Sequence, residues 1–201
     1  MKQVLLLFLV LTGSLHAGPR QQLEAFLRDL HTLQASFQQQ VLDTENGRVT
    51  HANGVLYVAR PGRFRWEYEG EYPRYLLADG HTIWLVETDL EQVSQRSQEA
   101  ALKGTPAGLL TEEVALERDF EIEELGTRQG ISRIRLVPKD EESPFEQILI
   151  GLEGDRLVSL EMDDRYGQVT RFRFHDVKKN LPLDERLFRF VPPPGYDILD
   201  Q

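Results

Sequence analysis

Cysteine is absent from the chain. That excludes disulfides, thiol chemistry and cysteine-ligated zinc or iron–sulfur centres. It also excludes the acylated cysteine that anchors a bacterial lipoprotein, so no lipid anchor is expected. A chain of 201 residues can build its core without disulfide support, even in a compartment that permits them. Long apolar runs are absent too, apart from Val4 to Leu11, which is too short to span a bilayer as a helix. No Gly-x-Ser-x-Gly elbow and no Gly-x-x-x-x-Gly-Lys-Ser/Thr phosphate loop occurs. The histidines past the first 17 residues, His31, His51, His81 and His175, are scattered and lack metal-ligand spacing, so no metal and no cofactor is expected. Positive charge is in deficit: 23 Lys and Arg face 33 Asp and Glu, for a formal charge of −10. Such an acidic balance argues against nucleic acid and against adsorption to anionic lipid.

Carboxylates are the one catalytic residue type in surplus. They occur as adjacent pairs at Glu112-Glu113, Glu123-Glu124, Glu141-Glu142 and Asp163-Asp164. Neighbours in a strand face opposite ways, and pairs in turns are usually solvated, so none of these reads as an acid–base site. The chain does not read as an enzyme. A glycosidase built on two of these carboxylates remains the enzymatic alternative.

What is present begins with an address. Lys2 precedes the apolar run, and small and polar residues ending Ser14-Leu15-His16-Ala17 follow it. This order reads as a secretory signal peptide over 1–17, leaving one domain over 18–201 outside the cytoplasm. Pro19 to Leu33 carries Leu23, Phe26, Leu27, Leu30 and Leu33 at helical spacing, which predicts an opening helix. Strands are predicted from Phe37 onward. Tyr75–Ala78 and Thr82–Val86 read as a hairpin turned at Asp79-Gly80, and Leu90–Ser97 continues the sheet. Thr105-Pro106 opens a short helix through Leu109 and Leu110. Five further strands follow: Phe120–Leu125, Ile131–Val137, Phe145–Leu152, Leu157–Met162 and Val169–Val177. The economical architecture is α+β, one highly curved antiparallel sheet with a few helices laid across it.

The densest information lies in Gly54 to Tyr68, read as two strands broken at Pro61-Gly62. Alternation puts Leu56, Val58 and Arg60 on one face of the first, and Phe64, Trp66 and Tyr68 on one face of the second. If Leu56 and Val58 face an apolar interior, Arg60 sits at its margin and needs acceptors, while the apolar face needs a cover. A lidded apolar cavity satisfies both. Taken alone, Arg60 is more often a solvated arginine before a turn, Phe64 and Trp66 are more often ordinary core, and the leucines of the first helix read equally as packing.

Several segments, in order along nearly the whole chain, resemble the LolA family of outer-membrane lipoprotein carriers. They are Leu33-Gln34-Ala35-Ser36-Phe37-Gln38-Gln39, the Gly54–Tyr68 block, Asp79-Gly80-His81-Thr82-Ile83-Trp84, Glu91-Gln92, Thr105-Pro106 and Phe188-Arg189-Phe190-Val191-Pro192-Pro193-Pro194-Gly195. The resemblance implies an incomplete, half-open antiparallel β-barrel enclosing an apolar cavity, with short helices as its lid. It implies a monomeric periplasmic chaperone that takes acylated lipoproteins from an inner-membrane ABC transporter to an outer-membrane receptor. By the same resemblance Arg60 latches the lid and Phe64 also touches the transporter. Leu56, Val58, Phe64 and Trp66 would then line the acyl-chain cavity, and Leu23, Phe26, Leu27, Leu109 and Leu110 would form the lid. The alternative on the same scaffold is a periplasmic lipid-binding or sensing module that transfers nothing. Arg63 and Arg65 make the outer face of their strand more basic than the family pattern, and Lys139-Asp140-Glu141-Glu142-Ser143 forms an acidic loop.

Overall fold

A computed structural model of the chain describes residues 18–113 and 115–200. The expected signal peptide, 1–17, lies outside the described residues. Strands dominate because apolar and polar residues alternate over most of the chain. In order they are β1 (Thr32–Asp43), β2 (Val49–Ala59), β3 (Arg63–Tyr68), β4 (Arg74–Asp79), β5 (Thr82–Glu87) and β6 (Gln92–Ser97). Then come β7 (Phe120–Arg128), β8 (Ile131–Pro138), β9 (Phe145–Glu153), β10 (Arg156–Asp164), β11 (Gln168–Lys179) and β12 (Asp197–Asp200). All twelve form one sheet in the order β12-β6-β5-β4-β3-β2-β1-β11-β10-β9-β8-β7. The end strands β12 and β7 do not pair with each other, so the sheet curves without closing. Every pairing is antiparallel except β12 with β6, which is parallel.

Register decides what faces inward. Leu33, Ala35 and Phe37 of β1 lie opposite Val58, Leu56 and Gly54 of β2. Val58, Leu56 and Gly54 lie opposite Phe64, Trp66 and Tyr68 of β3. On the other side of β1, Phe37 and Gln39 pair with Phe174 and Phe172 of β11. The same face continues through Leu160, Ile150 and Ile134, which are opposite one another across β10, β9 and β8. One apolar surface therefore runs across most of the sheet, and its residues belong to a single buried cluster.

Four short helices flank this surface: α1 (Pro19–Arg28), α2 (Gln98–Leu102), α3 (Pro106–Thr111) and α4 (Leu116–Asp119). The face of α1 bearing Leu23, Phe26 and Leu27 is buried, and α1 packs on β7, β8 and β9. Helix α3 packs over β2 and β3, with α2 beside it. The two ends of the inner face thus have separate covers. None of the helices among the described residues is long and apolar enough to cross a membrane.

Three expectations need correction. The opening helix stops at Arg28 rather than Leu33, and Leu33 belongs to β1. The cause is distant in sequence: the Asn180 carboxamide accepts from the backbone N–H of His31 (2.8 Å) and of Thr32 (3.3 Å), and donates to the Asp29 carbonyl (2.7 Å). Strand β2 ends at Ala59, so Arg60 stands just past the strand instead of within its alternation. Strands also begin earlier than Phe37 and Gly54, because β1 and β2 pair along their whole length.

The outer face of β3–β6 is covered as well. The chain after β11 passes through a 3-10 turn (Glu185–Phe188), stacks Phe190 on Trp84 with ring centroids 4.1 Å apart, and adds β12 to the β6 edge. Arg63 pairs with Glu185 and lies over the Phe188 ring.

Candidate functional site

The site is the inner face and the latch at its rim. Arg60 follows β2 and is held at its own backbone by donating its N–H to the His31 carbonyl (2.8 Å). From there its guanidinium reaches both covers. Nη1 donates to the Leu27 carbonyl (2.7 Å) in the last turn of α1. Nη2 donates to the Leu109 carbonyl (2.9 Å) and Nε to the Leu110 carbonyl (2.8 Å), both in the last turn of α3. Carbonyls in a final helical turn lack intrahelical donors and carry the negative end of the helix dipole. A planar fork with fixed donor directions can reach three of them at once, which an ammonium on a flexible stem cannot. Arg60 is thus the bridge between covers that rest on opposite halves of the sheet.

The guanidinium is charged and half removed from water. Half-burial pulls its pKa down from the ordinary arginine value, and the nearby Glu113 and Glu112 push the other way. Starting so far above neutrality, the group stays protonated. Backbone bonds reinforce the closure of α3. The Gly62 N–H donates to the Thr111 carbonyl (2.9 Å), and the buried Gln98 side chain donates to the Gly62 carbonyl (2.6 Å) while accepting from the Gly80 N–H (3.2 Å). Thr105 starts α3 as expected: its Oγ1 accepts from the Gly108 N–H (3.1 Å).

Leu56, Val58 and Phe64 are buried on the inner face, and Trp66 is partly buried beside them. Leu23, Phe26, Leu27, Leu109 and Leu110 are buried where α1 and α3 meet that face. All ten expected residues, Arg60 included, thus come together around one apolar cluster. Phe37, Phe172 and Phe174 join it without having been named as site residues, and Tyr68, expected on the face of Phe64 and Trp66, joins it too. Phe37 has Trp66, Tyr68 and Phe172 at 5.4, 5.4 and 5.6 Å between ring centroids, and Phe172 stacks on Phe174 at 6.0 Å. The period-two spacing of Phe172 and Phe174 was a signal available in the sequence. Gln98 had none, being a polar residue in a helix the pattern does not announce.

Two clefts flank the helices. One, about 840 Å³, runs between Gln98, Leu102, Leu109, Phe120 and Pro138. The other, about 950 Å³, lies under Arg60 between Leu27, Leu30, Thr111 and Leu116. Among the described residues no group of three or more His, Cys, Asp or Glu is placed to hold a metal ion. Arg65 is paired with Glu67 and lies 4.1 Å over the Tyr75 ring, so its charge is partly satisfied within the chain.

An open, curved sheet whose apolar inner face is covered by short helices, with one arginine bonded to two of them, defines a helix-covered half-barrel. Comparison with known proteins narrows the class. A family model described as outer membrane lipoprotein carrier protein LolA matches residues 28–191. An outer-membrane lipoprotein carrier protein of Methylococcus capsulatus is 42% identical over 182 residues, spanning 90% of this chain and 88% of that protein. One from Nitrosospira multiformis is 39% identical over 200 residues, spanning 98% and 96%. The chain belongs to the LolA family of outer membrane lipoprotein carrier proteins. The fold is shared more widely: a conserved protein of Thermus thermophilus superposes with a TM-score of 0.56 at 13% identity, over 90% of this chain and 99% of that one.

Proposed function

We propose that this chain is a periplasmic carrier that shelters the acyl chains of lipoproteins against the inner face of its half-barrel. It takes them from an inner-membrane ABC transporter and passes them to an outer-membrane receptor, as a monomer and without nucleic acid. Residues 1–17 act as its signal peptide, and 18–201 form the single carrier domain.

The observation that carries this reading is the Arg60 clamp over an apolar face. Burying each methylene is worth about 0.8 kcal/mol, so one long acyl chain prefers a membrane to water by roughly 10 kcal/mol. Crossing an aqueous compartment therefore demands a large apolar surface that is hidden when empty. Hydrogen bonds to a charged donor contribute about 1.5–3 kcal/mol each, so three hold the roof shut yet yield to acyl chains. Leu56, Val58, Phe64 and Trp66 are the wall of the acyl site; Leu23, Phe26, Leu27, Leu109 and Leu110 are the lid. Phe64 is buried in the closed form, so its contact with the transporter follows opening.

The test is release. Purified protein is incubated with inner-membrane vesicles that hold acylated lipoproteins and an active transporter. One-to-one complexes outside the membrane, dependent on the acyl chains, are the expected result. Lipoproteins that stay in the vesicles overturn the carrier reading.

A further inference from the structure

We propose that the indole N–H of Trp66 is a hydrogen-bond donor for the carbonyl oxygen of a fatty acyl ester, so that the apolar site reads the acyl linkage as well as the hydrocarbon. The proposal deepens the carrier reading and rests on it.

Trp66 Nε1 is sealed from solvent and has no hydrogen-bond partner among the described residues. Buried tryptophan N–H groups ordinarily find an acceptor, because an unpaired donor loses its water without replacement. Two other buried atoms are also unpartnered, Arg135 Nε and Asp163 Oδ1. Each belongs to a charged group bonded through another atom: Arg135 Nη1 donates to Glu123 (2.6 Å), and Asp163 Oδ2 accepts from Gln147 (2.5 Å). Indole has a single donor and no such second chance.

The surroundings offer the N–H little. On the inner face Trp66 sits opposite Leu56 and Leu76. Its ring meets Phe37 at 5.4 Å and Phe172 at 4.8 Å, both at steep angles. A ring face is at best a weak acceptor for N–H. Tyr68, the next residue on the same face of β3, turns its ring edge-on to Phe37 at 5.4 Å. Trp66 is therefore an unused donor in an apolar wall, and a phenylalanine would fill that wall without the cost of an unpaired polar group. The missing acceptor must arrive with an occupant that is otherwise hydrocarbon. A fatty acyl ester brings a carbonyl at the end of its chain, and an alkyl ether of the same length does not.

The experiment uses the mature chain and two probes: a cysteine lipopeptide carrying two ester-linked palmitoyl chains with a free amino group, and its dialkyl-ether analogue of equal chain length. The chain has two tryptophans, Trp66 and Trp84, giving two indole N–H resonances to follow by NMR. Trp84 Nε1 already donates to Asp79 Oδ2 (2.9 Å) and serves as the internal control. The ester probe is expected to move the Trp66 indole proton downfield while Trp84 stays; the ether probe should leave the Trp66 proton upfield. Wild type should bind the ester about five- to tenfold more tightly than the ether, the worth of one hydrogen bond. Trp66→Phe, checked for a native unfolding profile, should bind both probes equally. Equal binding of the two probes by wild type, or an ester preference that survives Trp66→Phe, overturns the proposal and leaves the carrier reading intact. Failure of wild type to bind either probe overturns both.

Discussion

Arg60 donates to three carbonyls on two helices, and an apolar replacement removes those three bonds. Leucine at this position extends the apolar surface of Leu56 and Val58 instead. Arg60→Leu is expected to load lipoprotein but deliver it to the receptor at least about tenfold more slowly, because an apolar wall retains acyl chains and no polar latch competes for closure. Transfer at the wild-type rate, followed by lipoprotein appearing in outer-membrane vesicles, would remove the latch. Gly54 makes a different kind of demand. A Cβ there would lie 1.9 Å from the Glu67 carbonyl oxygen and 2.6 Å from the Phe37 ring. The ring can turn, but the carbonyl belongs to the neighbouring strand. Gly54→Ala should cost roughly 1–3 kcal/mol, the range for forced overpacking, and shift the urea midpoint accordingly. At this scale much of the candidate site was legible, since Leu56, Val58, Phe64 and Trp66 declare their face by alternation. Arg60 was placed correctly at the margin, though its strand ends one residue earlier. Gln98 and the unpartnered Trp66 N–H were not legible, because a hydrogen-bond partner, or its absence, is a property of the packed molecule.

Elements were readable wherever one local rule governs them. Thr105-Pro106 starts α3 because a threonine oxygen can accept from the third amide onward and proline needs no donor. Thr105→Ala removes that cap and the bond from Thr105 Oγ1 to the Leu102 carbonyl (2.8 Å). It should cost about 1 kcal/mol and speed amide exchange in Leu109–Glu112 roughly fivefold, measured by hydrogen exchange. The hairpin turn between β4 and β5 gives a pH-dependent counterpart. Burial raises the Asp79 pKa, but hydrogen bonds from the Trp84 indole and from the Thr82 and His81 amides outweigh it and leave the carboxyl below its usual value. A depressed pKa stabilises the fold above the unfolded carboxyl value, and the contribution fades as pH falls through the folded one. Wild type should therefore lose more of its urea midpoint than Asp79→Asn between about pH 5 and pH 3. Equal losses would mean the turn bonds do not discriminate the carboxylate from the amide. Elements set by distant partners escaped a local reading. Helix α1 ends where Asn180 captures its exit, and the first half of β2 is a polar stretch made into strand by its pairing with β1. Strand β12 is four exposed residues whose structure consists of their bonds to β6.

The whole molecule is a curved shell with a different closure on each side. Helices cover the inner face; the C-terminal segment covers the outer face of β3–β6. Leu77, Val86 and Val93 are buried yet stand apart from the main cluster. Register puts them on the face shared with Trp84 and Arg65, the side on which Phe190 and Phe188 settle. On the carrier reading, this covered back would be the part of the shell that stays in place while the helices open. This division predicts that the two closures separate experimentally. Deleting residues 182–201 should strip the outer apolar patch, uncover the β6 edge and leave Arg60 with its three carbonyls. An exposed edge strand beside fresh apolar surface is a template for pairing with another chain. The truncated protein should unfold at lower urea, bind a hydrophobic dye and elute as dimers or larger species, while its remaining monomer still binds lipopeptide. Phe190→Ala is the milder test: losing the stacked ring should cost about 1–3 kcal/mol without baring the edge, so it should lower the midpoint and stay monomeric. A truncated chain that remained monomeric at the full-length midpoint would mean the outer covering does not brace the shell. Loss of lipopeptide binding by Phe190→Ala at temperatures where it is folded would mean instead that the two faces are coupled, with the back of the sheet setting the shape of its front.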